Sequence, residues 1–125
     1  MYSLKNLESL FLWKNKLIGK IKKKIEKLEK LKDLVIQENK FDGELPIELN
    51  LLKNLKRIYL WENNFNGSIP PLQFLPFLEE IGFGENNFSG PLPSSFSTLQ
   101  NLKVNHFFIL FYFYFFYFLF LFLIF

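Results

Sequence analysis

Aliphatic and polar positions along most of this chain fall into a block that returns every 23 or 24 residues. Leu7, Leu10 and Leu12 recur as Leu31, Leu34 and Ile36, then as Leu55, Ile58 and Leu60, then as Leu78, Ile81 and Phe83. Within each block the alternation has a period of two, which predicts a short strand with these residues inward and their neighbours outward. An Asn follows each block (Asn15, Asn39, Asn63 and Asn86, at intervals of 24, 24 and 23), and a Gly stands four residues later at 19, 43, 67 and 90. Ile21, Leu45, Ile69 and Leu92 come next, with Pro46, Pro70 and Pro93 behind the last three. The shorter interval reflects one residue lost near Pro71, because Leu72 follows Ile69 by three where its counterparts follow by four. Four copies of one ten-position pattern mark a repeat protein.

Each recurring residue has a physical task. The Asn falls where the strand ends, and its amide can satisfy backbone groups that would otherwise be buried unpaired. The Gly permits a backbone conformation closed to other residues. The Pro, fixed in φ, starts a return path on the outer side, where no ladder donor is needed. Stacked units then form a parallel sheet on one face and bury a continuous apolar column. Residues 20–36 also admit a local alternative, since Ile21, Ile25, Leu28 and Val35 fall near the spacing of one amphipathic helix. The repeat frame accounts for Leu31, Leu34 and Ile36 as well, and predicts a short outer turn followed by a strand.

The outward strand positions form four columns: Ser9, Asp33, Arg57, Glu80; Phe11, Val35, Tyr59, Gly82; Trp13, Gln37, Trp61, Gly84; and Lys14, Glu38, Glu62, Glu85. Phe11, Trp13, Tyr59 and Trp61 place large aromatic area on a face that the stack does not need to bury. Beside Arg57 and Glu62 they have the composition of an interaction hot spot. These six residues are the expected ligand- or partner-binding set. Asn66-Gly-Ser and Asn87-Phe-Ser are glycosylation sequons placed beside the turns.

The pattern L-x-x-L-x-L-x-x-N-x-F-x-G-x-[IL]-P resembles the leucine-rich repeats of plant receptor-like kinases and receptor-like proteins. Residues 55–70 and 81–93 match it closely, and the resemblance spans about residues 2–103. It implies an α/β repeat, a short leucine-rich repeat solenoid with a parallel sheet on its concave face, and a non-catalytic ectodomain that binds a peptide, protein ligand or co-receptor. The chain departs from that family in lacking paired-Cys caps, in carrying Lys22 at the first Pro position, and in having no kinase motif. No leader sequence is recognisable at Met1–Glu8. These departures lead us to expect a truncated piece of such a receptor.

Composition adds a second region. Residues 107–125 hold ten of the eighteen Phe and no charge, Gly or Pro. As a helix they rise about 28 Å, close to the hydrocarbon thickness of a bilayer. The domains expected are therefore repeats over 1–103 and a membrane-spanning hydrophobic tail over 104–125, with lipid contact through 107–125. The repeats would face the cell surface by family resemblance, or the cytosol if the tail is inserted after synthesis. An alternative origin is intron read-through after Lys103, which would make the chain a non-functional membrane protein with no specific partner. Charge is uneven too: residues 1–40 carry eleven Lys against five acids, and residues 41–106 four bases against seven acids. The bases are mixed with Glu, so nucleic acid is not an expected partner. With no Cys and one His, neither a metal cluster, a cofactor nor a nucleophilic catalytic set is expected.

Overall fold

A computed structural model describes residues 4–106; the expected helix over 107–125 lies outside them. Each apolar block forms a short strand: β1 (Ser9–Phe11), β3 (Asp33–Val35), β5 (Arg57–Tyr59) and β7 (Glu80–Gly82), followed by β9 (Val104–His106). They pair in parallel in the order β1-β3-β5-β7-β9. Leu10, Leu34, Ile58 and Ile81 stand opposite one another in that register, so the repeated aliphatic position forms one column. The ladder continues to β9, where Asn105 faces Ile81.

Burial along the column reports position in the stack. Leu34, Ile58 and Ile81 are buried, whereas Leu10 is half-buried, since among the described residues it has a repeat on one side alone. The core gains a second row from the Phe two residues beyond Asn39, Asn63 and Asn86, where the first repeat has Leu17. Phe65 is fully buried and stacks between Phe41 and Phe88, with centroids 6.2 and 6.3 Å away and planes within 7°.

The asparagines join each repeat to the one before it. Asn63 Nδ2 donates to Leu60 O (3.0 Å) within its own turn and to Ile36 O (3.1 Å) in the preceding one. Its Oδ1 accepts the N–H of Phe41 at 3.0 Å. Asn39 and Asn86 repeat the arrangement, accepting the N–H groups of Leu17 and Phe65 at 3.0 Å. Asn15 makes the bonds to its own turn, to Leu12 O and Trp13 O, and is exposed.

This clamp draws consecutive turns to ladder distance, and a second parallel sheet results that the apolar pattern did not announce. Its strands are β2 (Ile18–Gly19), β4 (Lys40–Glu44), β6 (Asn64–Gly67) and β8 (Asn87–Phe88), in that order. Two sheets thus meet at a corner made by the residue before each Asn. Lys14, Glu38, Glu62 and Glu85 hold φ of 56°, 55°, 52° and 50°, so this expected strand column consists of left-handed corner residues instead. The glycines four beyond the Asn also have positive φ, as their placement predicted.

The returns are single 3₁₀ turns at Lys23–Lys27, Ile47–Leu51 and Ser94–Thr98. Lys22 caps the first with φ −86° and ψ 154°, an extended conformation close to that of Pro46. One short turn followed by β3 settles residues 20–36 in favour of the repeat frame. In the shortened third return, Asn50 Nδ2 donates to Pro71 O and its Oδ1 accepts Phe74 N–H at 3.4 Å. The neighbouring repeat's side chain thereby covers backbone groups where a residue is missing.

Candidate ligand-binding face

The outward side chains of the five-stranded sheet are positioned row by row. In the first row Asp33 is 6 % exposed, and it accepts from Ser9 Oγ at 2.7 Å and from Arg57 Nε at 2.6 Å. The bond from Arg57 holds the Asp33 carboxyl below its usual range against the opposing effect of burial, and Ser9 adds to the lowering. The same bond raises Arg57, with Glu80 and Glu79 adding to the effect. Arg57 therefore enters the face already oriented, its free edge directed by a buried carboxylate.

In the second and third rows Tyr59 Oη donates to Glu80 Oε2, and the Tyr59 and Trp61 rings lie 4.8 Å apart at 53°. Trp61 is laid over the neighbouring strand at Gly82. A Cβ there would stand 2.6 Å from Trp61 Cε3 and 3.3 Å from Tyr59 Cδ1. The absence of a side chain at Gly82 is what admits the indole. Both aromatic residues are half-buried, while Phe11 and Trp13 on the first repeat are at least half exposed. Between these pairs, Val35 and Gln37 form a buried floor, and Gln37 Oε1 has no hydrogen-bond partner among the described residues. Adjacent strands are about 4.8 Å apart, so the aromatic walls rise from strands separated by roughly 10 Å. Glu62 is exposed at the corner.

A row of exposed ion pairs borders the face: Lys32 with Glu8 at 2.7 Å and Lys103 with Glu79 at 2.9 Å. The lysine hydrogen bonds lower both carboxyls. Exposure to solvent makes such pairs weak contributors. The sequence columns place Ser9, Asp33, Arg57 and Glu80 in one row; that Asp33 and Glu80 orient Arg57 and Tyr59 emerges only in the folded arrangement. Alternating opposite charges at intervals of 24 and 23 were the available signal. Asn66 and Asn87 lie elsewhere, exposed and opposite each other in the β6–β8 ladder. Among the described residues no cluster of His, Cys, Asp or Glu can hold a metal ion, and no helix is long and apolar enough to cross a membrane.

The Leucine Rich Repeat family matches residues 54–74 and 77–99. No curated protein sequence matches the chain. Among solved structures, the plant peptide hormone receptor RGFR1 in complex with RGF2 is 33 % identical with a TM-score of 0.79, over 81 % of this chain and 16 % of that one. The Arabidopsis receptor kinase HAESA, in complex with the peptide hormone IDA and the co-receptor SERK1, is 32 % identical with a TM-score of 0.77, over 82 % and 18 %. The Arabidopsis thaliana BIR2 ectodomain is 34 % identical with a TM-score of 0.73, over 76 % and 50 %. The chain thus spans less than a fifth of the two hormone receptors and half of BIR2. Period, Asn clamp, double sheet and structural match converge: the described residues are a leucine-rich repeat domain whose structure matches part of plant receptor-kinase ectodomains.

Proposed function

We propose that this protein is a non-catalytic recognition module whose concave face binds a peptide or protein partner, with residues 107–125 attaching it to a membrane. Arg57, Tyr59, Trp61 and Glu62 form the centre of the contact, and Phe11 and Trp13 form its second wall. The observation that carries this reading is the Tyr59–Trp61 pair, held by Glu80 and seated on Gly82. Rigid aromatic area beside an oriented guanidinium binds with little further loss of side-chain freedom. The complexes of RGFR1 with RGF2 and of HAESA with IDA and SERK1 support a peptide or co-receptor as the partner class. The exposed sequons at Asn66 and Asn87 support a lumenal or cell-surface position, and a mobility shift on deglycosylation tests it.

The binding test is selection of peptides from a displayed library on the full chain held in lipid nanodiscs. Peptides so selected lose at least tenfold in affinity on Tyr59→Ala with Trp61→Ala, and keep it on Gln73→Ala in the return segment. Equal binding to all three proteins removes the concave face as the site.

A further inference from the structure

The return side carries a surface that neither the core nor the concave face uses. Ile47, Leu51, Phe74 and Phe77 are each more than half exposed. Leu49 and Leu72 occupy the same buried repeat position, which puts Leu51 and Phe74 one rung apart on the same return side. Asn50 bonds backbone atoms of Pro71 and Phe74 across that rung. Lys53 Nζ accompanies them, 5.1 Å above the Phe74 ring. The next rung on the other side is the first return, where Lys22, Lys23, Lys24, Lys27 and Lys30 are all exposed and Glu26 and Glu29 are the acids. Lys23 reaches Glu48 at 3.5 Å, so the lysine block abuts the apolar block directly. Between the two, a groove of about 770 Å³ is bordered by Lys20, Lys22 and Lys23 on one side and Ile47, Pro70 and Pro71 on the other, with Glu44 and Glu48 also in its lining.

We infer that this return surface docks onto an anionic phospholipid bilayer; such lipid lies on the cytoplasmic leaflet, so this docking goes with the cytosolic orientation of the repeats and stands apart from the cell-surface position proposed above. Exposed Leu, Ile and Phe beside a lysine cluster match what a bilayer interface offers: acyl chain boundary for the apolar side chains and anionic headgroups for the ammonium groups. A soluble polyanion would satisfy the lysines and leave the four apolar side chains in water, so the combination selects lipid. The fourth return, Ser94–Thr98, carries no charge and its one apolar residue, Phe96, packs toward the core, which limits the surface to the first three repeats. Docked in this way, the protein lies on its back and its concave face points away from the membrane. The inference is independent of residues 107–125, because those residues carry no charge and would enter zwitterionic and anionic lipid alike.

The chain has no cysteine, so single labels can be placed on the full protein without background. An environment-sensitive fluorophore at Gln73→Cys reports the return surface, and one at Phe11→Cys reports the concave face. In vesicles of phosphatidylcholine with phosphatidylserine, the Gln73→Cys label shifts to the blue, and in phosphatidylcholine alone it does not. The Phe11→Cys label stays unmoved in both. Lys24→Gln with Lys27→Gln raises the phosphatidylserine needed, by about fivefold in surface affinity for each lysine removed. Leu51→Ser with Phe74→Ser abolishes the shift while strand content by circular dichroism is retained. The inference is overturned by a shift of equal size in both lipids, by a shift that survives both pairs of substitutions, or by the same shift with soluble polygalacturonate.

Discussion

Replacing Asn63 by Ala tests whether the repeats are held together by side-chain amides as well as by their apolar column. The substitution removes donors to Leu60 O, Ile36 O and Trp61 O at 3.0, 3.1 and 3.3 Å, and the acceptor of the Phe41 N–H at 3.0 Å. The carbonyls are not all stranded. Ile36 O keeps a bond from Asn39 at 3.0 Å, and Leu60 O keeps one from Asn86 at 2.9 Å. Phe41 N–H loses the acceptor it has here. One stranded donor costs about 1–3 kcal/mol and each remaining lost bond a fraction of that, so the expected loss is about 2–4 kcal/mol. Asn15→Ala is the matched control, because Asn15 is exposed, bonds its own turn and clamps no described repeat; its expected cost is about 1 kcal/mol or less. Urea unfolding of the full chain in detergent, followed by the fluorescence of Trp13 and Trp61, measures both. The midpoint falls by about 1–3 M for Asn63→Ala and by well under that for Asn15→Ala. Amide exchange sharpens the test: Phe41 exchanges faster in Asn63→Ala, while Phe65, held by Asn86, keeps its protection. Equal costs for the two substitutions, or unchanged protection at Phe41, would refute the clamp.

Three other outcomes follow from the same geometry. Ile58→Ala, at a fully buried column position, costs about 2–5 kcal/mol, and Leu10→Ala at the half-buried end of the column costs about half as much by the same denaturation measurement. Gly82→Ala drives a Cβ into Trp61, so it costs about 1–3 kcal/mol and shifts Trp61 emission to the red; selected peptides then bind it more weakly. For pH, Asp33 has its folded value lowered by Arg57, so its contribution is full above the unfolded value of about 3.9 and is lost as pH falls through the folded one. Asp33→Asn is therefore less stable than the parent at neutral pH, and the gap narrows below about pH 4, as acid titration of unfolding reads directly.

Much of this molecule was legible in the chain because a repeat converts sequence spacing into spatial adjacency. A residue 24 positions from its counterpart lands one strand away, so the column of Leu10, Leu34, Ile58 and Ile81 and the outward rows follow from the spacing alone. The Asn role was legible in kind, since a turn at a strand end leaves backbone groups that an amide can satisfy. What the pattern could not show was which neighbouring repeat supplies the partner. Asn63 acts on Ile36 and Phe41 because stacking sets them there, and no local signal in residues 60–67 says so.

Everything else about the outward face was decided by packing. Val35, Gln37 and Asp33 sit at outward positions of the alternation, yet they are buried, because β3 is flanked by side chains from β1 and β5 such as Ser9 and Arg57 on Asp33. Tyr59 and Trp61 were expected as open aromatics, and they are half sunk against Gly82 and Glu80, a pairing that exists only once β5 and β7 are in register. The second sheet arises in Asn- and Gly-rich segments with no strand-like alternation, since its cause is the distance between clamped turns. Sequence by itself determined the period, the buried column and the rows of the outward face, because these depend on alternation along one strand. Tertiary structure alone decided which outward groups stay exposed and which are held, because that depends on the sizes of side chains brought side by side from different repeats.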